Sequence, residues 1–562
     1  MSKNLTSYQH ILIIAAFALV AVLPMVWFGV PGGNDQVQHY QFAWTVFESV
    51  KSGDIYPSFA PGTNHGFGDY GLRFYPPLTY YVLAGLRALT GDWYAATIIA
   101  WFAVFFVGAL GVLVWTRDLV DKRTALIAAA LYTFLPYHLN EIYNNALLAE
   151  FVATAVLPLC FLYLDRTMRG AGLNDALPLA ASCALLVLAH LPLTLIGGAA
   201  MVVYALCLIK RDAVGRQFRM LLYAALTAAA LTAFYWSRLI GEMAWITHNS
   251  ERYFSTTWDY RTNFLLVPSH WTLLSEDVLN LWFADLMLVV AVLAILPAAI
   301  FCIKTRDSRK VMMPAFVVAA VAVIMTTPLS KPLWDIVTPL EKVQFPWRWL
   351  AVLSVFAALL GAVGVTRTIG AGKQSSSPLL AGLLAIAFAS IAFMAVLIVR
   401  TPAYISHADL TAEIATFDDS TGCDCWWPVW ARSKAFGQKE DVVTPGREVN
   451  VVRWTSRARE FGVAAGPATT ANVKAWYYPR WRAIVNGQVV PTRPDDNGVL
   501  TVDIPFEGSN VTLQFVEPWY ISAAAIISIL AWFGTLFIGV ILLLKSMRRS
   551  SSSRSLLLAN AG

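Results

Sequence analysis

Charged residues are scarce in this sequence. Asp, Glu, Lys and Arg together make up 14% of its 562 residues, whereas soluble globular proteins carry about 25%. Hydrophobic residues make up 57%, and many lie in runs of about 18 or more, the length that crosses a bilayer. So few charges cannot cover a soluble surface. We therefore predict a polytopic α-helical membrane protein with about a dozen transmembrane helices.

Other features are sparse as well. No basic patch with interleaved aromatic residues is present, so nucleic acid is not an expected partner. Two of the six cysteines, Cys423 and Cys425, form a lone C-D-C that is too sparse for a zinc site. A disulfide across so short a loop would be strained, and their role is left open. The apolar stretch 11–30 lacks a small-residue cleavage site, which favours an uncleaved first span.

The apolar runs predict individual spans. They are expected near residues 10–30, 93–115, 123–138, 147–165, 175–190, 192–210, 218–237, 283–303, 311–329, 348–366, 378–399 and 519–544. Residues 76–90 are also apolar, but they are too short, open with two prolines and contain Arg87. We predict that this segment lies along the interface or re-enters the membrane.

This assignment places the basic loops on one side. Cytoplasmic loops carry the excess of Lys and Arg, so both termini are expected in the cytoplasm. The extracytoplasmic segments are then 31–92, 138–146, 238–282, 330–347 and 400–518.

The last large segment differs from the rest of the chain. Apolar and polar residues alternate over 500–504 and again over 511–515, which is typical of half-buried strands. Asn486-Gly487 between two apolar triplets predicts a hairpin turn. We expect a transmembrane module at 1–399 with a large first loop at 31–92, a β-sandwich-like or barrel-like domain at 400–518, a last span at 519–545 and a disordered Ser-rich tail at 546–562.

Polar residues concentrate in the first extracytoplasmic loop. Apolar residues recur at helical spacing within 36–50, which predicts an amphipathic helix on the bilayer surface. Asp35 stands at the start of this helix, where Asp is a good N-cap, and His39 lies one turn later on the same face. Asp35 is therefore either a helix cap or a functional carboxylate.

Glu141 and Glu150 border the next short extracytoplasmic loop. Glu150 is expected slightly inside the membrane boundary, where a carboxylate is costly unless it is paired or faces a water-filled cavity. It therefore either pairs with an arginine such as Arg73 or Arg252, or has a functional role. Arg348 begins a later span and is either an interfacial anchor or a bidentate phosphate ligand.

Together these features resemble the GT-C superfamily of integral membrane glycosyltransferases, which use lipid-phosphate-linked sugars. Four strings resemble the bacterial membrane proteins labelled 6-pyruvoyl-tetrahydropterin-synthase-related: G-N-D-Q-V-Q-H-Y at 33–40, G-L-R-F-Y-P-P-L at 71–78, A-L-L-A-E-F at 146–151 and Q-F-P-W-R-W at 344–349. The stretch 477–519 is similar to the end of YfhO-type sugar transferases. The resemblance covers most of the chain and implies a GT-C-like fold in the bacterial cytoplasmic (inner) membrane.

The resemblance also implies roles for residues. Asp35 would be the general base or would orient the acceptor, and Glu141 and Glu150 would supply a second acidic group near the sugar. The expected substrate-binding residues are His39, Arg73, Tyr75, Arg252 and Arg348, with Arg73 and Arg348 on the donor phosphate. Members that bind a metal often have two acids in the first loop. Here the neighbours of Asp35 are Asn34 and Gln36, which favours no cofactor, although a divalent metal is left open.

The expected function is transfer of a sugar, with inversion, from a polyprenyl-phosphate-linked donor to an extracytoplasmic glycan, lipid or protein. One alternative is a lipid or sugar transporter or flippase, which predicts paired repeats and charges near mid-membrane; neither is evident. Another is a non-catalytic scaffold with a glycan-binding β-domain, which leaves the acids of the first loop without a role.

Overall fold

The computed structural model describes residues 7–33, 35–170, 172–250, 258–272, 281–304, 306–370, 378–455 and 457–559. Helices dominate this part of the chain, and a β-sheet domain precedes the last long helix, as the sequence predicted. The α-helices are α1 Ser7–Phe28, α2 Gln36–Lys51, α3 Leu78–Thr90, α4 Trp93–Thr116, α5 Lys122–Phe134, α6 Pro136–Tyr143, α7 Leu148–Gly170, α8 Leu173–Ala189, α9 Leu191–Cys207, α10 Val214–Leu231, α11 Ala233–Glu242, α12 Ser269–Thr272, α13 Leu281–Lys304, α14 Arg306–Thr326, α15 Lys331–Ile336, α16 Thr338–Glu341, α17 Trp349–Gly370, α18 Pro378–Arg400, α19 His407–Ile414 and α20 Trp519–Ala559. The β-strands are β1 Val30–Pro31, β2 Tyr404–Ile405, β3 Val442–Val443, β4 Val449–Trp454, β5 Ala458–Val463, β6 Thr469–Trp476, β7 Trp481–Val485, β8 Gln488–Val490, β9 Thr492–Pro494, β10 Val499–Ile504 and β11 Ser509–Phe515.

In the described part of the chain, seven helices are long and apolar enough to cross a membrane: α1, α4, α7, α13, α17, α18 and α20. Two further spans arise if α10 with α11 and α14 with Pro328–Ile336 each count as one, although these pairs bend by 72° and 89°. Every predicted span coincides with a helix or a bent pair. However, α5, α8 and α9 are shorter than the roughly 20 residues that a span needs. By length and composition alone, seven to nine of the expected dozen spans therefore qualify among the described residues.

Helix α17 is the centre of the bundle. Every residue from Trp349 to Ala362 is buried, and the helix packs against α5, α13 and α14. A Cβ at Gly364 would lie 2.9 Å from the Cβ of Pro297, so the small residue allows α13 to approach closely. This packing fixes the start of α17, where Trp347 and Arg348 lie.

The C-terminal domain contains two antiparallel sheets, ordered β3-β6-β10-β9 and β4-β5-β11-β7-β8. Their alternating apolar residues are buried together, including Trp476, Leu500, Val502 and Leu513. The predicted hairpin joins β7 to β8, with φ of +48° at Asn486 and +82° at Gly487. Such a turn requires positive φ at both central residues, so the Asn-Gly signal is confirmed.

The last helix is longer than the predicted final span. It continues through the Ser-rich stretch to Ala559, where the sequence analysis expected a disordered tail. The expected disorder of residues 546–562 stays a prediction.

The first loop is tied to the segment that follows α18. Strand β1 pairs with β2, which joins the ends of α1 and α18. The amide of Gln36 donates to Glu413 over 2.9 Å. Helix α2 forms where the amphipathic pattern predicted it, and it packs on α3, whose 13 residues are too few to span a bilayer. These contacts hold the start of α2 in place.

Candidate functional site

Asp35 occupies the N-cap position of α2 but does not cap it. Its φ and ψ are −103° and 2°, unlike the extended backbone of most capping residues, and its side chain makes no capping hydrogen bond. No hydrogen bond to its carboxylate is found among the described residues. The capping interpretation is therefore wrong for this structure, and the carboxylate is free to contact a ligand.

The carboxylate of Asp35 lines a cavity of about 510 Å³. The wall also contains His39, Tyr75 and Arg348, so four of the predicted site residues meet there. Aromatic side chains complete much of it, namely Trp258, Phe345, Trp347 and Trp426. An apolar body with a few polar groups is the usual make-up of a small-molecule site.

The environment makes Asp35 unusually basic. Burial raises the pKa of its carboxyl to about 6, the positive charge of Arg348 opposes this rise, and the negative charge of Glu150 adds to it. Most of the group is still ionised at pH 7. A base with a pKa near the working pH combines the correct protonation state with proton affinity, as general-base catalysis requires.

Arg348 is held from two sides. Its Nε–H donates to Oε2 of Glu150 over 2.8 Å, and its Nη1–H donates to the carbonyl oxygen of Val343 over 2.7 Å. The guanidinium also lies 4.6 Å from the centre of the Phe345 ring. Its Nη2 has no hydrogen-bond partner among the described residues, and Arg348 is part of the cavity wall. One edge of the cation therefore remains for an anionic ligand.

The two predicted glutamates have different environments. Glu150 accepts from Arg348 and, over 2.7 Å, from the Tyr137 hydroxyl. The predicted ion pair thus exists, but with Arg348 and not with Arg73. Glu141 is fully buried outside the cavity wall, and neither of its carboxyl oxygens has a hydrogen-bond partner in the described structure. Burial and then the charge of Glu150 raise the pKa of Glu141 well above its usual range.

His39 presents a neutral imidazole to this region. Burial lowers its pKa to about 3. One ring nitrogen, Nδ1, lies 2.9 Å from the Tyr80 hydroxyl, while Nε2 has no partner among the described residues. The ring packs edge-on against Tyr75. The predicted shared face of Asp35 and His39 is confirmed, since both line the cavity.

Arg73 lies in a different place. It is fully buried and donates to Glu242 over 2.8 Å and to both carboxylate oxygens of Glu517 over 2.7 and 3.0 Å. Arg238 and Arg480 complete this ion-pair network. The network joins the first loop to α11, the β-domain and the start of α20. Arg73 is not in the cavity wall, so the expected phosphate contact is not supported for it. Arg252 lies outside the described residues.

The cavity wall also contains residues to which the sequence analysis gave no role there. Cys423 and Cys425 form a disulfide beside Trp426. Their Cα atoms lie 5.2 Å apart, within the usual range for disulfides. The backbone N–H of Cys423 donates to Gln38 of α2 over 2.8 Å. The bridge therefore fixes a segment from far along the chain against the helix that carries Asp35.

His248 is a second neutral histidine of the wall. Burial, with the charges of Lys342 and Arg348, lowers its pKa to about 4. Its ring stacks on Trp426 at 4.7 Å. The sequence around His248 in the long loop 238–282 gave no signal of this position. Within the described ranges, no three His, Cys, Asp or Glu side chains group closely enough to hold a metal ion.

A comparison with protein families supports the conclusion that this chain is a membrane protein. A family model described as a 6-pyruvoyl-tetrahydropterin synthase related domain, membrane protein, matches residues 72–407. A protein of Lactococcus lactis subsp. cremoris (strain MG1363), described as uncharacterized, is 23% identical over 133 residues, which cover 23% of this chain and 22% of that protein.

Three solved structures are among those similar to this chain. The mycobacterial arabinofuranosyltransferase AftD is 14% identical with a TM-score of 0.44, and the match covers 71% of this chain and 27% of that one. The Archaeoglobus fulgidus oligosaccharyltransferase, tethered to an acceptor peptide, is 16% identical with a TM-score of 0.40. The match covers 74% of this chain and 56% of that one. ArnT of Cupriavidus metallidurans, bound to undecaprenyl phosphate, is 13% identical with a TM-score of 0.40. The match covers 74% of this chain and 75% of that one. The chain thus spans about a quarter of AftD and a fifth of the Lactococcus protein.

Proposed function

The chain belongs to the family of membrane proteins with the 6-pyruvoyl-tetrahydropterin synthase related domain, and from this premise and the geometry of the site we propose that it is a membrane glycosyltransferase. It moves a sugar from a polyprenyl-phosphate-linked donor to a hydroxyl group of an extracytoplasmic glycan, lipid or protein. The observation that carries the proposal is the uncapped Asp35 carboxylate in one cavity wall with the guanidinium of Arg348.

In the proposed reaction Asp35 is the general base. It accepts the proton of the acceptor hydroxyl while the oxygen of that hydroxyl attacks the anomeric carbon of the donor sugar. The bond between that carbon and the phosphate oxygen breaks, and the phosphate leaves with the electron pair. Attack from the face remote from the leaving group inverts the anomeric centre. A positioned base of this kind contributes roughly 10²–10⁴-fold to the rate.

Arg348 binds the departing phosphate. Its unpartnered Nη2 can donate to a phosphate oxygen, and a charge-assisted bond of this kind strengthens as negative charge develops. Glu150 is a positioning residue in this scheme, since it holds the Nε edge of Arg348. The raised pKa of Glu141 favours its neutral form.

The remaining wall residues suit the sugar. Tyr75 and Trp426 supply ring faces and edges that pack against C–H groups. The free Nε2 of His39 supplies a hydrogen-bonding atom for a sugar hydroxyl. The tail of the donor would stay in the bilayer while its head group reaches the cavity.

The test is mass spectrometry of cell-surface glycans from cells with and without the protein. We expect a glycan to lose a sugar residue in the deletion strain. Wild-type protein should restore it, and Asp35→Asn protein at equal abundance should not. A matched control is Asp92→Asn, which alters the N-cap of α4 outside the cavity and should restore the glycan. Unchanged glycans in the deletion strain, or full restoration by Asp35→Asn, would contradict the proposed function.

A further inference from the structure

A second cavity, of about 340 Å³, adjoins the one that contains Asp35. Asn145 and Trp347 stand in the walls of both cavities. The second cavity lies where the end of α6 meets α13 and the end of α18, and we call it the amide cavity because Asn140, Asn144 and Asn145 line it. Because two residues are common to both walls, a ligand bound there would lie next to the proposed catalytic cavity.

The amide cavity contains no charged side chain. None of its described lining residues is Asp, Glu, Lys, Arg or His, whereas the neighbouring cavity contains Asp35 and Arg348. Besides the three asparagines, its wall consists mainly of small, apolar and aromatic residues, including Trp282 and Trp347. A charged ligand would lose its hydration there without gaining an opposite charge. The cavity therefore favours a neutral ligand.

Hydrogen-bonding groups in this wall lack partners. Asn144 donates its amide to Oδ1 of Asn140 over 2.9 Å, while its own Oδ1 is buried with no partner among the described residues. The indole Nε1–H of Trp347 is likewise buried without one, and Trp347 is only 7% exposed. Asn140 is 5% exposed, and the one hydrogen bond described for its side chain is this bond to its Oδ1. Buried polar groups are normally paired, so water or a ligand is expected to supply the missing partners.

We propose that the amide cavity binds a neutral carbohydrate through its hydroxyl groups and holds it as the acceptor of the transfer. This inference rests on the proposed function and narrows its acceptor class to a glycan. A side-chain amide carries a donor and an acceptor, which matches hydroxyl groups that both donate and accept. The indole rings offer apolar faces for the C–H groups of a sugar ring. A uronic acid or phosphorylated acceptor is disfavoured by the absence of a cation.

The test is saturation-transfer NMR on the full chain in lipid nanodiscs. The probes are maltotriose, mannotriose and arabinotriose as neutral trisaccharides, and trigalacturonic acid as the anionic one. At least one neutral trisaccharide should bind, and the anionic one should not. Asn145→Leu should weaken binding about 3- to 10-fold, the value of one or two lost hydrogen bonds. Trp282→Leu should weaken it by a similar factor, and Trp282→Phe by less.

Two controls separate this inference from the proposed function. Asn510→Leu changes an exposed asparagine on β11 and should leave binding unchanged. Asp35→Asn should abolish transfer and keep trisaccharide binding. Two outcomes would overturn this inference and leave the proposed function standing. In the first, no neutral trisaccharide binds. In the second, wild type, Asn145→Leu and Trp282→Leu bind equally well and have the same melting temperature. Binding that depends on Asn145 in a protein without transferase activity would keep the carbohydrate site and overturn the proposed function.

Discussion

Arg348 and Glu150 form a buried ion pair in which the guanidinium Nε–H donates to the carboxylate over 2.8 Å. The two residues stand 198 positions apart in the chain, at the starts of α17 and α7. Each supplies the charge that the other needs to be buried. The pair uses the Nε edge of Arg348 and leaves its Nη2 edge for a ligand in the cavity. Asp35 remains as the basic group of the site.

The first prediction concerns the donor phosphate. Arg348→Ala should raise KM for the polyprenyl-phosphate sugar more than Arg348→Lys, because Lys keeps the positive charge and loses the forked geometry. The measurement is initial rate against donor concentration. Removing one partner of a buried ion pair also costs about 3–5 kcal/mol of stability. The double variant Arg348→Ala/Glu150→Gln avoids an unpaired carboxylate and should show the same rise in KM. Unchanged kinetics in all three variants would make Arg348 an interfacial anchor only.

A second prediction follows from the raised pKa of Asp35. Protonated Asp35 cannot accept a proton, so kcat/KM should rise with pH, with its midpoint at about pH 6, the pKa of this carboxyl. Glu150→Gln should move the midpoint to lower pH, because the charge of Glu150 contributes to the raised pKa of Asp35. The measurement is a pH–rate profile from pH 5 to 8 on stable protein. A flat profile, or a midpoint that Glu150→Gln moves upward, would rule out this assignment of the base.

The third prediction concerns the ion-pair network around Glu517. Hydrogen bonds and charges from Arg73, with the charge of Arg238, outweigh burial and lower the pKa of Glu517 to about 2, from an ordinary 4.5. A lowered carboxyl pKa stabilises the fold above the ordinary value, and this stability is lost as pH falls toward the lowered one. The shift corresponds to about 3 kcal/mol at neutral pH.

Glu517→Gln should therefore lower the melting temperature strongly at pH 7, and its gap from wild type should narrow between pH 4.5 and pH 3. Differential scanning fluorimetry in detergent measures both. Glu507→Gln, at an exposed position of the same domain, is the matched control and should melt like wild type at every pH. A gap that stays constant from pH 7 to pH 3 would contradict the ionic origin of the stabilisation.

Much of the candidate site could be predicted from the sequence. Asp35, His39, Tyr75 and Arg348 were expected on one side of the membrane, and they meet in one cavity. Arg73 shows why the rest could not be predicted. It resembles Arg348 in type and flanking aromatics, but its partners Glu242 and Glu517 lie 169 and 444 residues away. No local pattern reports such contacts.

The same limit applies to helix ends. An Asp immediately before an amphipathic helix is compatible with an N-cap. Only the backbone angles of Asp35 and its missing capping hydrogen bond show that no N-cap forms. Likewise, apolar composition located all the predicted spans but could not reveal the bends after α10 and α14.

A fourth prediction tests the orientation. Single cysteines at Lys51 and Gln488 should react with a membrane-impermeant maleimide applied to intact spheroplasts, and a cysteine at Arg216 should not. All three positions are exposed in the fold, so a difference reports the side of the membrane. A background with Cys207→Ser removes the exposed free thiol. Labelling at Arg216 from outside would reverse the topology, because this position lies in the densest basic loop.

The last prediction separates a catalytic Asp35 from a structural one. Asp35→Asn should reduce turnover of a polyprenyl-phosphate sugar by about 10²-fold or more, because an amide cannot accept the acceptor's proton at neutral pH. Its melting temperature should remain near wild type, since the carboxylate makes no capping bond in the folded protein. A turnover assay beside a melting curve on purified protein measures both.

Asp121 provides the matched comparison. It is a true N-cap, whose carboxylate accepts from the backbone N–H groups of Arg123 and Thr124 at the start of α5. Asp121→Ala should cost about 0.5–2 kcal/mol of stability and leave turnover by the folded protein unchanged. Asp35→Ala should do the reverse, losing turnover and keeping stability. If Asp35→Asn instead keeps more than about half of the wild-type turnover, Asp35 is not the general base, because loss of that base should cost about 10²-fold or more. The proton acceptor would then have to be sought at Glu141 or Glu150, and the ion pair between Glu150 and Arg348 would have to open for Glu150 to serve.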